Sequence, residues 1–242
     1  MENKVLLAIG AHPDDIDFGA SGTVAKLIDE GWDAYYVICT DGSKGSSDPE
    51  MTPKRLIQMR QREQVAAGKI LGLKDVFFLD HPDTQLEVSQ EFKEELVRII
   101  RTVKPSRVLG LDPTFYFALE PTFEHGYHFV NHTDHRAAGL ATMDAVFPLS
   151  RDRLTFPQHE KEGLEPHRVD ELWIVNWGDK APCHFVDITS HFDKKLKAIE
   201  AHVSQFADFK DVEKRVTERA IRHADGKDYK YAESFMCLKM AK

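Results

Sequence analysis

Five short runs rich in β-branched and aromatic residues punctuate the chain: VLLAIG at 5–10, AYYVICT at 34–40, VFFLD at 76–80, RVLGLD at 107–112 and ELWIVNW at 171–177. Stretches of helical period lie between the first four. This alternation constrains the fold more than any other feature, because short apolar runs joined by amphipathic connections bury themselves as a parallel sheet under crossover helices. The connections suit that role. FGASGTVAKLIDEG ends on a glycine stop, RLIQMRQREQVAAGKILG repeats apolar residues at helical spacing, and QEFKEELVRIIRTVKP halts before a proline. Near the end, HFVDITSHFDKKLKAIEAHVSQF predicts a further strand and helix. The 242 residues contain no repeat, low-complexity tract or break in composition, so a single α/β domain over 1–242 is expected, its sheet mostly parallel with helices on both faces.

Composition narrows the partners. A formal net charge of -8 argues against nucleic acid or an anionic membrane surface, both of which select a basic face, and favours a neutral or weakly cationic small molecule. No apolar run approaches a membrane span. The start, MENKVLLAIG, reads as a first strand rather than a signal peptide, and a cytoplasmic enzyme is expected. Cys39, Cys183 and Cys237 are too few and too scattered for a disulfide framework and are expected as buried small hydrophobes. Two segments lack a period: 113–131, read as a long loop over one end of the sheet, and 151–168.

Chemistry concentrates at two places. The first strand is followed by AHPDDIDFGASG, where an open α/β sheet places its ligand-binding turn. Neither a dinucleotide fingerprint nor a P-loop is present. Instead the turn offers His12, a stiffening Pro13 and the adjacent Asp14 and Asp15. Neighbouring carboxylates on a turn point apart, so one can hold a cation while the other faces what that cation binds. The alternative is that Asp14, Asp15 and Asp17 simply cap the next helix. The second place is NHTDHRAAGLATMDAVF, which supplies His132, Asp134 and His135 at the start of another helix. His132 and His135 share a face if the helix has begun, and helix capping is again the simpler alternative. Together the motifs give two histidines and a carboxylate for a metal, with a carboxylate and a histidine to spare, which suits a hydrolytic zinc site with an open position.

AHPDD after an N-terminal strand with HTDHRAAG before a later helix resembles the PIG-L (LmbE-like) family of metal-dependent deacetylases, which act on N-acetylglucosamine-type sugars. TDGSKG at 40–45, RQREQVAAGKILG at 60–72, DHPDTQL at 80–86, DITSHFDKKLKAIEAHVSQF at 187–206 and YAESF at 231–235 extend the resemblance. It implies a Rossmann-like domain, a homo-oligomer, and a zinc ion held by His12, Asp15 and His135. It further implies Asp14 as general base, and His132 as a hydrogen-bond donor to the oxyanion, held by Asp134 in the protonated or the correct tautomeric form. Arg60 near the acyl group, Asp83 on sugar hydroxyls and His202 complete the set as substrate-binding residues. Ile16 stands where the family often has Glu, with Asp17 one place on. Phe115, Tyr116 and Tyr127 are candidates to stack on a sugar ring or to pack the loop. The competing functions are an amidase for another acylated amine or thiol conjugate, and a non-catalytic nucleotide-binding module whose acids only cap helices.

Overall fold

β1 (Val5–Gly10) is buried along nearly its whole length, as an apolar run must be in a central parallel strand. In the computed structural model, which describes residues 4–118, 128–177 and 184–241, it pairs in parallel with β2 (Asp33–Thr40) on one side and β4 (Arg107–Gly110) on the other. β3 (Asp75–His81) extends the sheet beyond β2, and β5 (Glu171–Val175) extends it beyond β4. Two antiparallel strands finish that side: β7 (Ala232–Lys239) pairs with β5, and β6 (His184–Asp187) pairs with β7. Among the described residues the strand order is β3-β2-β1-β4-β5-β7-β6.

The helices follow from the connections. α1 (Asp15–Asp29) and α2 (Pro53–Leu71) carry the chain from β1 out to β3, whereas α3 (Gln90–Val103) returns it to β4 and α4 (Thr133–Asp144) leads on towards β5. Right-handed crossovers in these two opposite directions put the first pair on one face and the second pair on the other. The packing agrees: α1 and α2 contact each other and α6 (Phe192–Glu200), while α3 contacts α4. A short α5 (Gln158–Lys161) lies in the irregular segment before β5, and α7 (Phe209–His223) packs on β7. Local signals set the ends. Thr52 accepts from the Arg55 N–H with Pro53 at the first helical position, and Ser89 accepts from the Phe92 N–H. Gly139 brings α4 against the exit of β4, where a β-carbon would sit 2.5 Å from the Leu111 carbonyl oxygen.

The single mostly parallel α/β sheet is thus as the alternation required, with differences at its edges. β4 and β5 stop at Gly110 and Val175, each two residues before its apolar run ends, because the chain there turns off the sheet edge. α7 went unrecognised in the sequence, and of the last strand only YAESF was noted, without being read as a strand. α7 buries only Val212, Val216, Ala220 and His223, a stripe too thin to stand out among its charged residues. Cys39 is buried as expected, but Cys237 is exposed, since the second half of β7 runs beyond the cover of the helices. Cys183 and Tyr127 lie outside the described residues. No helix among the described residues is long and apolar enough to cross a membrane.

Candidate active site

The strand order reverses between β1 and β4, and a doubly wound sheet opens a crevice at the carboxyl ends of its strands at that switch point. The loop after β1 brings His12, Asp14 and Asp15 there. The segment after β4 brings Asn131, His132, Asp134 and His135, and the turn after β3 adds Asp83. Residues more than a hundred positions apart meet as a result. Asp15 Oδ1 is 3.0 Å from His135 Nε2, and Asp15 Oδ2 is 3.6 Å from His12 Nδ1. The donor atoms of His12, Asp15 and His135 all lie within 4.8 Å of one another, a set that could hold a metal ion.

Electrostatics supports that use. Burial by itself would lower the pKa of His12, yet hydrogen bonds to Asp134, Asp15 and Asp83 outweigh it and push the ring up to about 12. Three carboxylates gathered on one imidazole form a cluster short of positive charge, and two imidazoles with a carboxylate are a donor set that suits zinc. Asp15 also accepts from the Ala11 and His12 N–H groups, at 2.9 and 2.8 Å. Despite its desolvation, the charge of His135 and the hydrogen bonds of both histidines hold its carboxyl well below the usual range.

Capping does not account for the acids. Asp14 occupies the N-cap of α1 but makes no side-chain cap hydrogen bond, and its backbone has φ 97°. A non-glycine residue there carries strain on the order of 1–3 kcal/mol. Arg60 Nη2 holds its carboxylate at 3.2 Å and the Pro13 carbonyl at 2.6 Å. Gln64 accepts the Asp14 N–H at 2.9 Å. Desolvation raises the Asp14 carboxyl, against the pull of Arg60 and with the help of Asp15, to about 6. A carboxylate poised there takes and returns a proton near neutrality. Asp17, one place beyond Ile16, is wholly buried and receives Gln64 Nε2 and His202 Nε2, each at 2.9 Å.

Two sets of these residues have surroundings that bear on the roles the resemblance implies. Arg60 and His202 are 4% and 0% exposed; Arg60 holds Asp14, and His202 holds Asp17. Asp134 meets His132 through its backbone, while its carboxylate is engaged elsewhere. Its Oδ2 takes His12 Nε2 and the Thr84 N–H, and its Oδ1 takes the Leu86 N–H. His132 Nδ1 instead accepts the backbone N–H of Asp134 at 3.1 Å, which leaves the ring proton on Nε2. Burial, and then the charge of His12, lower the His132 pKa. Asp83 is turned inward, onto His12 at 3.1 Å and the Lys44 N–H at 2.9 Å.

Two residues of the site went unread in the sequence. Asn131 Oδ1 meets His135 Nδ1 at 3.0 Å and so orients the ring. Its position four residues before His135 was the available signal. Gln64 carried no signal beyond its proximity to a motif, whereas Asp17 was read as a capping acid or as the carboxylate one place beyond Ile16. A cavity of about 560 Å³ opens from Asp15 and His135 along Phe18 and Gly19 towards α7, walled by Phe115, Phe129 and Trp177. That size suits a small-molecule ligand. Phe115 is buried and stacks on Phe129, with ring centres 5.9 Å apart, whereas Tyr116 is exposed beneath Arg136.

The fold and the site define an α/β protein with a histidine–carboxylate centre of the composition that holds a divalent ion. The chain belongs to the PIG-L family: the profile described as GlcNAc-PI de-N-acetylase matches residues 7–146. Among its relatives, the diacetylchitobiose deacetylase of Thermococcus kodakarensis is 34% identical over 207 residues, covering 84% of this chain and 70% of that protein. The probable N-acetyl-alpha-D-glucosaminyl L-malate deacetylase 2 of Bacillus anthracis is 29% identical, covering 91% and 87%. The N,N'-diacetylchitobiose deacetylase structure from Pyrococcus horikoshii superposes with a TM-score of 0.86 at 30% identity, over 98% of this chain and 84% of that one.

Proposed function

We propose that this chain is a metal-dependent hydrolase that removes the N-acetyl group from an N-acetylglucosamine-type sugar or conjugate. One observation carries the reading: His12, Asp15 and His135 converge as a donor set while Asp14, on the same turn, is held apart from that set by Arg60. The family membership and the names of the relatives support it. Zinc is the ion that the donor set suits best, and when bound it supplies Lewis-acid polarisation of the amide carbonyl and of the attacking water.

The protein groups divide the remaining work. Asp14 accepts the proton of the attacking water and passes it to the departing amine, a transfer for which a pKa near neutrality is suited. His132 donates its Nε2–H to the oxygen of the tetrahedral intermediate. Asp134 and Asn131 orient His12 and His135 from behind. Asp83, both of whose carboxylate oxygens are engaged by His12 and the Lys44 N–H, braces His12 alongside Asp134, and the aromatic wall of the cavity receives the rest of the substrate. The test is amine release from N-acetylglucosamine, diacetylchitobiose and an N-acetylglucosaminyl conjugate, with the protein loaded with zinc or stripped by a chelator. Release that is lost on stripping and restored by zinc is expected. No release from any acylated sugar, together with no stoichiometric metal, overturns the reading and favours a binding module.

A further inference from the structure

The Pro13 carbonyl and the Asp14 N–H are the two polar ends of a single peptide group, and α2 grips both. Arg60 Nη2 donates to the carbonyl at 2.6 Å, and Gln64, one helical turn on, accepts from the N–H at 2.9 Å. This peptide is the one whose rotation relieves the positive φ of Asp14. Turning it over carries φ at Asp14 back towards negative values, and swings the carbonyl to where its neighbour's N–H had been. With Arg60 able only to donate, a flipped peptide would set its N–H against a guanidinium and its carbonyl against the Gln64 oxygen.

Gln64 itself has no freedom to adapt. Its Nε2 faces Asp17 Oδ2 at 2.9 Å, and a carboxylate can only accept, so the amide oxygen must point at Asp14. Asp17 is in turn fixed by His202 at 2.9 Å. Gln64, Asp17 and His202 are 1%, 0% and 0% exposed.

We propose that Gln64 is a positioning residue for the reaction: with Arg60 it locks the Pro13–Asp14 peptide in its strained orientation and thereby aims the Asp14 carboxylate, while Asp17 and His202 fix the polarity of the Gln64 amide. The inference rests on Asp14 being the general base. It explains why an acid that caps no helix is kept at φ 97°, and why α2 reaches under the first loop.

The test combines kinetics with a measurement that needs no turnover. Gln64→Met keeps the volume and removes both amide contacts. It is expected to lower kcat about 10–100-fold, the cost of a small misplacement of a reacting group, with KM and zinc per chain unchanged. Amide hydrogen exchange at Asp14, read by NMR on zinc-free and zinc-loaded protein, is expected to quicken at least tenfold. In an Asp14→Asn background Gln64→Met is expected to cost nothing further, because it acts through that carboxylate. Asp17→Asn, which frees the Gln64 amide to turn over, is expected to give a smaller loss with the same non-additivity, and serves if Gln64→Met does not fold. Wild-type kcat and exchange in Gln64→Met overturn the proposal. So does a loss that multiplies undiminished onto that of Asp14→Asn. Should Asp14→Asn alone keep wild-type kcat, the base assignment has failed, and the exchange at Asp14 still reports whether the lock exists.

Discussion

Asp134 lies against His12 and not against the ring that precedes it on the helix: its Oδ2 is 3.2 Å from His12 Nε2 and 3.8 Å from His132 Nδ1. A carboxylate on one nitrogen of a histidine whose other nitrogen faces Asp15 fixes the tautomer and strengthens the ring as a ligand.

Asp134→Asn is therefore expected to weaken zinc binding by about 10–100-fold, the usual effect of removing such a partner. Competition with a calibrated chelator measures it. Unchanged zinc affinity with most turnover lost would return Asp134 to His132.

Asp14→Gly separates activity from stability. Glycine adopts φ 97° without strain, and the change removes a desolvated carboxylate beside Asp15. We expect a variant that binds zinc and has lost most turnover, yet unfolds in urea at a free energy equal to wild type or up to about 1 kcal/mol higher. A loss of more than about 1 kcal/mol would mean that the Arg60 contact outweighs the strain.

Lys195 and Glu233 form a buried ion pair at 2.7 Å, with side chains 3% and 5% exposed. Lys195 Nζ also donates to the Asp17 and Phe18 carbonyls, and Glu233 accepts the Gly22 and Thr23 N–H groups. The pair thus ties α1 to α6 and β7. Lys195→Met leaves Glu233 charged in the interior and is expected to cost about 3–5 kcal/mol in urea unfolding. Zinc binding should survive in the folded fraction, since no metal-ligand candidate is touched.

Acid should loosen the segment before β5 through His159, which is fully buried. Its Nδ1 faces Arg101 and its Nε2 faces Glu94. Burial, then the charge of Arg98, lower its pKa below the ordinary 6.5, although the Glu94 hydrogen bond works the other way. With the folded pKa below the unfolded one, the unfolded chain binds more protons as pH falls through about 6.5, so this stabilisation is present above that pH and lost below it. The urea midpoint of wild type should exceed that of His159→Gln at pH 7.5 by more than at pH 5.5. A gap that widens in acid would show the sign to be wrong.

Arg101 shows how much of this segment escaped the sequence. It is fully buried and donates to the carbonyls of Leu149, Ser150, Asp152 and Thr155. Those carbonyls belong to a stretch without period, whose backbone is satisfied by a side chain from α3 about fifty residues earlier. No local pattern announces such a partner. Elements built on their own periodicity were legible, among them β1, α1, α2 and α3, and so was the placing of both motifs at strand exits.

The sequence by itself determined which chemistry is present: two histidine–aspartate motifs after apolar runs, on a chain whose alternation of period admits little but a parallel α/β sheet. Residue type and spacing are local properties, and they suffice to bring His12 and Asp15 to the same edge as His132 and His135. Only the tertiary structure decided which acid serves which histidine. Asp134 is two residues from His132 in sequence but bonded to His12, because the direction of a side chain at the first turn of α4 is set by the Thr84 and Leu86 amides that meet it there. Likewise nothing near Asp17 in sequence foretells Gln64 and His202. A buried carboxylate must collect donors from whatever elements pack around it, and which elements those are is settled by the order of the strands.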